Sequence, residues 1–175
     1  MYRAGLVGGL TFASCFVASL AAQAHPIELG QDVGVALSVN GTTVRTVSVP
    51  TGSIRVGVFV SPLISVEPEV SLTHVGAESG GSLTTLSLAV SLPVHLVRDP
   101  ERVRPYVRPL VGIVAIDANG SATQVQAGVG LGLKSPLAER LGARLEVAIV
   151  RGFESEDLAG VTQIGLRVGF SFFTR

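Results

Sequence analysis

The chain has 175 residues, a length that suits one domain. It is 47% hydrophobic and 15% charged, with mean hydropathy +0.53 and 13 basic residues against 13 acidic. That balance excludes a disordered polyelectrolyte and gives no basic excess for a nucleic-acid-binding face. A helical membrane bundle is excluded too, because no uncharged apolar run of about 18 residues occurs past the N-terminus.

Residues 1–24 read as a cleaved signal peptide. One early charge, Arg3, precedes an apolar stretch from Gly5 to Ala22, and the segment ends in Ala22-Gln23-Ala24. Small side chains at the first and third positions before the cut place cleavage before His25. Residues 25–175 then form the mature domain. Cys15, the only cysteine, leaves with the signal, so the mature chain has no disulfide, thiolate nucleophile or cysteine-ligated metal. Thirteen basic residues less Arg3 leave 12 against 13 acidic, a net charge of −1.

From Glu28 onward the dominant period is two, the pattern of strands with one apolar face. Val33, Val35 and Leu37 oppose Asp32, Gly34, Ala36 and Ser38. Ile54, Val56, Val58 and Val60 oppose Arg55, Gly57 and Phe59. The stretch 42–51 breaks parity: either a bulge near Pro50-Thr51-Gly52 joins it to the next segment, or Thr43–Val49 is a separate strand. Ile64 to Leu72 opposes Ser65, Glu67, Glu69 and Ser71, and Leu86 to Leu96 opposes Ser87, Ala89, Ser91, Pro93 and His95. Val107, Val111, Ile113 and Ala115 oppose Arg108 and Gly112. Val125 to Leu133 opposes Gln124, Gln126, three glycines and Lys134. Ala143, Leu145, Val147 and Ile149 oppose Arg144, Glu146 and Ala148. Ile164 to Phe172 opposes Gln163, Gly165, Arg167, Gly169 and Ser171.

These are eight strands separated by turn signals, among them Asn40-Gly41, Ser61-Pro62, Gly80-Gly81, Asp99-Pro100, Asn119-Gly120 and Ser135-Pro136. Leu137–Leu141 could hold one helical turn. Pro68, Pro93 and Pro109 fall inside strand-like segments, where each removes a ladder hydrogen bond, which places them at bulges or near a rim.

The polar face decides between a soluble sandwich and a transmembrane barrel. It is dominated by Gly, Ser, Ala, Thr and Gln, small residues that suit the crowded interior of an eight-stranded barrel. The apolar face is Leu, Val and Ile with hardly a charge, as a hydrocarbon-facing surface requires. It takes even positions in strands 2–4 and 8 and odd positions in strands 1 and 5–7. The fold class is therefore all-β, an eight-stranded antiparallel up-and-down transmembrane β-barrel. Closure leaves no unpaired strand edge in lipid.

The inward charges are Glu28, Asp32, Glu67, Glu69 and Glu146 against Arg55, Arg108, Lys134, Arg144 and Arg167, five of each sign. Buried charge must be paired to be tolerated. The expected interior is a lumen plugged by ion pairs. A signal-peptide N-terminus and an even strand count put both chain ends in the periplasm, with outward loops near 39–43, 76–83, 117–122 and 153–160 and periplasmic turns near 61–63, 98–104 and 135–141.

The mature chain resembles the small eight-stranded bacterial outer-membrane β-barrels of the OmpA/OmpX-like type. The carriers are the signal peptide, the eight alternating segments, the tight turns and the aromatic last strand Ile164–Phe173. The resemblance implies that Phe170, Phe172 and Phe173 are read by the barrel assembly machinery, although Thr174-Arg175 follow where a terminal Phe is usual. It also implies outer-membrane lipid as the surrounding partner and a monomeric chain. The aromatic girdles are thin, with no Trp and only Tyr106 and five Phe past residue 24.

Some small barrels are lipid-modifying enzymes. Nucleophilic catalysis needs Ser or Thr beside a His oriented by an acid. His25, His74 and His95 form no such set with neighbouring hydroxyls and acids, and no metal-ligand spacing or cofactor motif is present. Glu154, Glu156 and Asp157 form an acidic outward loop, read as solvated. The expectation is a non-enzymatic structural or interaction barrel of the outer membrane with a closed lumen. The alternatives are a narrow channel or small-ligand-binding barrel, and a lipid-modifying enzyme.

Overall fold

The computed structural model describes residues 27–40, 43–76, 82–117, 121–155 and 158–174. The expected signal peptide, the expected mature terminus at His25, and Glu156 and Asp157 of the acidic loop lie outside the described residues. The described chain is strand and turn, without a helix.

The strands are β1 (Ile27–Asn40), β2 (Thr43–Ser61), β3 (Ile64–Gly76), β4 (Ser82–Ser91), β5 (Val94–His95), β6 (Arg104–Asp117), β7 (Ser121–Ala138), β8 (Leu141–Gly152) and β9 (Val161–Phe173). Every ladder is antiparallel, and β1 pairs with β2 on one side and with β9 on the other, so the sheet closes on itself. β4 and β5 are one stave. Both pair with β3 and β6 in a single register, with Glu67↔Ser91 followed by Ile64↔Val94 and Ser91↔Leu110 followed by Val94↔Val107. The described residues therefore form an eight-stave antiparallel barrel.

The three strand prolines sit where ladders lapse. Pro93 interrupts the fourth stave, opposite the stretch containing Pro109. Leu92 N–H donates to the Pro109 carbonyl at 3.0 Å and Ser65 N–H to the Pro93 carbonyl at 3.1 Å, so the backbone stays bonded across the gap. The β2–β3 ladder omits the Val56–Pro68 pair between Arg55↔Glu69 and Val58↔Val66, where proline offers no donor.

The parity break before Gly52 is a bulge in one long strand. Gly34 pairs with Thr51 while Ala36 pairs with Ser48, so β2 has an extra residue beside Pro50. Two turn expectations need correction. Ser135-Pro136 is strand, and the β7–β8 connection is Glu139-Arg140, with a register shift between Pro136 and Ala138. Leu137–Leu141 forms no helical turn: the β ladder runs to the Ala138↔Leu141 pair and satisfies the backbone there.

Both described chain ends and the tight connections 62–63, 96–103 and 139–140 share one end of the barrel, the turn end. Thr174 N–H donates to the Ile27 carbonyl at 2.8 Å and Phe173 N–H to the Arg140 carbonyl at 3.0 Å, tying the last strand to both sides there. The outer face is apolar along every stave, including Leu29, Ile54, Leu72, Val111, Leu131 and Phe172, all exposed. What is buried is polar: Glu28, Arg55, Glu67, Arg108, Arg144 and Glu146 are each 2% exposed or less. The molecule is a soluble protein turned inside out.

Candidate functional site

Glycine on the inner face makes room for long side chains from the next strand. Gly30 stands opposite Arg55, and a Cβ there would fall on the Arg55 guanidinium. Gly132 stands opposite both Tyr106 and Glu146, and its Cβ would strike the Tyr106 phenol. Gly169 stands opposite Asp32 and would strike its carboxylate. A Cβ on Gly130 would lie 2.9 Å from the Glu146 carboxyl carbon. The Gly-rich parity therefore provides the space in which charged side chains lie flat across the lumen.

The ten inward charges join in one connected network. At the turn end, Arg55 pairs with Glu28 and, through Nε at 2.9 Å, with Asp32. Ser171 donates to Glu28 at 2.7 Å and accepts from Arg55 at 2.6 Å. Lys134 Nζ bridges Glu28 at 2.7 Å and Glu67 at 2.6 Å. Arg144 then joins Glu67 at 3.0 Å to Glu146 at 2.5 Å. Arg108 holds Glu146 through two nitrogens, at 2.8 and 2.5 Å, and reaches Glu69 at 3.1 Å. Arg167 closes the series on Glu69 at 2.5 Å. Seven staves supply charges, and the fourth supplies the Ser91 hydroxyl, which accepts from Arg108 at 3.3 Å.

Tyr106 belongs to this interior, not to an aromatic girdle. Its hydroxyl donates to Glu146 at 2.8 Å and accepts from Arg144 Nε at 2.6 Å, and the Arg144 guanidinium lies 5.0 Å from its ring centroid. The inward parity of Arg104, Tyr106 and Arg108 on β6 is the signal that locates it. Phe59 is also interior, with the His95 ring stacked on it at 5.6 Å. Neither His95 nitrogen has a hydrogen-bond partner among the described residues. His25 is outside the described residues, and His74 lies on β3.

The three terminal aromatics divide. Phe170 and Phe172 project from the outer face, whereas Phe173 has the opposite parity and lines a cavity at the turn end. Arg104, placed by the sequence in the turn 98–104, is instead the first residue of β6 and is buried.

Buried ion pairs across a narrow lumen resist separation, because removing one partner strands a charge that water cannot reach. Seven staves are thus cross-linked from within, while the outer surface carries the apolar face that hydrocarbon requires.

A closed, eight-stave barrel with a charged interior and apolar exterior is a small transmembrane β-barrel. The chain belongs to the outer membrane protein beta-barrel domain family, whose model matches residues 10–172. Family membership implies the bacterial outer membrane. No curated protein matches it. Among solved structures it is similar to Neisserial surface protein A (NspA), at TM-score 0.69 and 10% identity, covering 83% of this chain and 96% of that one. It is similar to the outer membrane protein OprG of Pseudomonas aeruginosa, at TM-score 0.57 and 10% identity over 87% and 97% of the two chains. It is also similar to the outer membrane enzyme PagL, at TM-score 0.51 and 16% identity over 79% and 97%. At these identities the likeness is one of fold, and the fold serves enzymes as well as other barrels.

Proposed function

We propose that the chain is a sealed structural or interaction barrel of the outer membrane, not a conducting pore. The observation that carries this reading is the unbroken ion-pair series from Asp32 to Arg167, whose members come from seven staves and meet in the lumen. Any solute crossing would have to break pairs such as Lys134–Glu67 or Arg108–Glu146 and leave buried charges unpaired. Residues 1–24 serve as the export signal, the turn end faces the periplasm, and the aromatic last strand with Phe170, Phe172 and Phe173 is the segment the assembly machinery reads. The surrounding partner is outer-membrane lipid, and the barrel acts as a monomer. The role is read as non-enzymatic, with His95 packed between the Phe59 and Tyr106 rings inside the lumen.

Planar-bilayer recording tests the sealed lumen. The wild-type barrel, shown folded by its shifted migration in SDS before boiling, should give no stable conductance steps. Reproducible steps from that preparation would replace the sealed barrel with a narrow channel.

A further inference from the structure

Arg104 is a sixth inward base with no sixth acid. It is 7% exposed, and among the described residues no carboxylate forms an ion pair with it, although Glu28 and Asp99 act on it through space. Its Nε donates to the Val97 carbonyl at 3.1 Å and its Nη2 to the Pro62 carbonyl at 2.7 Å. Asp99 is itself bonded to the exposed Arg102 at 3.2 Å. In the β6–β7 ladder Arg104 also stands directly opposite Lys134, so two cations are neighbours at this level. A buried charge without a contacting counter-charge is costly, and a like-charge neighbour adds to that cost.

This guanidinium lines a cavity of about 930 Å³ at the turn end. The volume falls in the range of small-molecule pockets, about 300–1,000 Å³. Phe59, with Arg104 and Lys134 at 5.4 and 5.9 Å from its ring centroid, lies at the inner end, and the walls include Pro62, Leu141 and Phe173. Arg98, Arg102, Glu101 and Glu139 also line it but are exposed, where water screens them. A cavity with largely apolar walls and one buried guanidinium that lacks an ion-pair partner suits one negative charge on an apolar body.

We propose that the turn-end cavity binds a monocarboxylate with an apolar body, its carboxylate on Arg104 and its body against Phe59, Leu141 and Phe173. The site does not depend on the sealed-lumen reading, because it lies on the turn side of Lys134 and a leaking barrel would keep it.

The test is calorimetric titration of the barrel in phosphatidylcholine nanodiscs with decanoate and, separately, decanol, each against empty nanodiscs. Decanoate should saturate at one per barrel, and decanol, with the same body and no charge, should bind about tenfold more weakly or worse. Arg104→Gln should bring decanoate down to the level of decanol, and Arg104→Lys should recover part of the difference. Leu137→Glu, which adds a carboxylate at an exposed lining position, should weaken decanoate and spare decanol. Heats matching those of empty nanodiscs, or equal decanoate affinity in the wild type and Arg104→Gln, overturn the site. Should Arg104→Gln lose its gel shift and prove unfolded, Leu137→Glu decides, and an unchanged decanoate affinity in that variant overturns it.

Discussion

Lys134 and Arg144 are direct cross-strand partners in the β7–β8 ladder, two cations side by side on the inner face. Like charges opposite one another destabilise a sheet, yet here Glu67 reaches across from β3 to bond both, at 2.6 and 3.0 Å, and lies 3.9 Å from Arg55. One carboxylate thus holds three cations. Glu67→Gln should cost about 3–5 kcal/mol, the range for stranding a buried charge. The exposed pair Asp99–Arg102 is the control, and Asp99→Asn should cost under about 1 kcal/mol. Urea midpoints in a lipid environment, at constant slope, check both values. Similar losses in the two variants would mean that the lumen is far wetter than its packing implies.

Parity is a property of the chain, so residue numbers alone separate an inner face carrying Glu28, Arg55 and Arg144 from an outer face carrying Leu29, Ile54 and Leu145. Eight staves and their antiparallel order follow from the same alternation and the turn signals between segments. Which carboxylate meets which cation does not. That depends on register around a closed, tilted sheet, a relation between strands far apart in sequence, as in the 106-residue separation of Lys134 from Glu28. Arg104 escaped because Asp99-Pro100 drew the turn too far along the chain, although its even number puts it in phase with Tyr106 and Arg108. Ser135-Pro136 misled for a related reason, since proline is tolerated where a ladder ends in a bulge.

The inner-face glycines can be ranked by what a methyl group would meet. Gly132→Ala places a Cβ on the Tyr106 phenol, which Arg144 and Glu146 hold in place, so the ring cannot move without breaking two hydrogen bonds. A loss of about 1–3 kcal/mol is expected for this overpacking. Gly165→Ala meets nothing closer than 3.5 Å and should be neutral, or stabilising by about 0.4–1 kcal/mol through the unfolded chain. The same urea measurement compares them, and an equal response would remove steric room as the reason for glycine at position 132.

The outer face predicts a depth dependence. Leu131 is exposed on the outer face of β7, several residues from either end of the strand, whereas Leu29 is exposed on the outer face near the start of β1, at the turn end. Leu131→Arg should cost about 2–4 kcal/mol in a bilayer and Leu29→Arg about 0–1 kcal/mol. In detergent micelles, which deform around a charge, the gap should narrow. Equal costs at the two positions in a bilayer would mean that the staves do not run from the membrane interior to its surface.

The Glu69–Arg167 pair offers the cleanest measurement of a single link. Arg167 is the most exposed member of the network, bonded to Glu69 alone among the described residues at 2.5 Å, while Glu69 is also bonded to Arg108 at 3.1 Å. Removing Arg167 therefore leaves Glu69 with one cation, and removing Glu69 leaves Arg108 still held by Glu146 through two nitrogens. Each single change, Arg167→Gln and Glu69→Gln, should cost less than Glu67→Gln, because no member is left wholly unpaired deep in the lumen. The double-mutant cycle should return a coupling of about 0.5–3 kcal/mol, the range for residues in one ionic network. A coupling near zero, with additive single losses, would show that the link contributes nothing to stability and that the series effectively ends at Arg108.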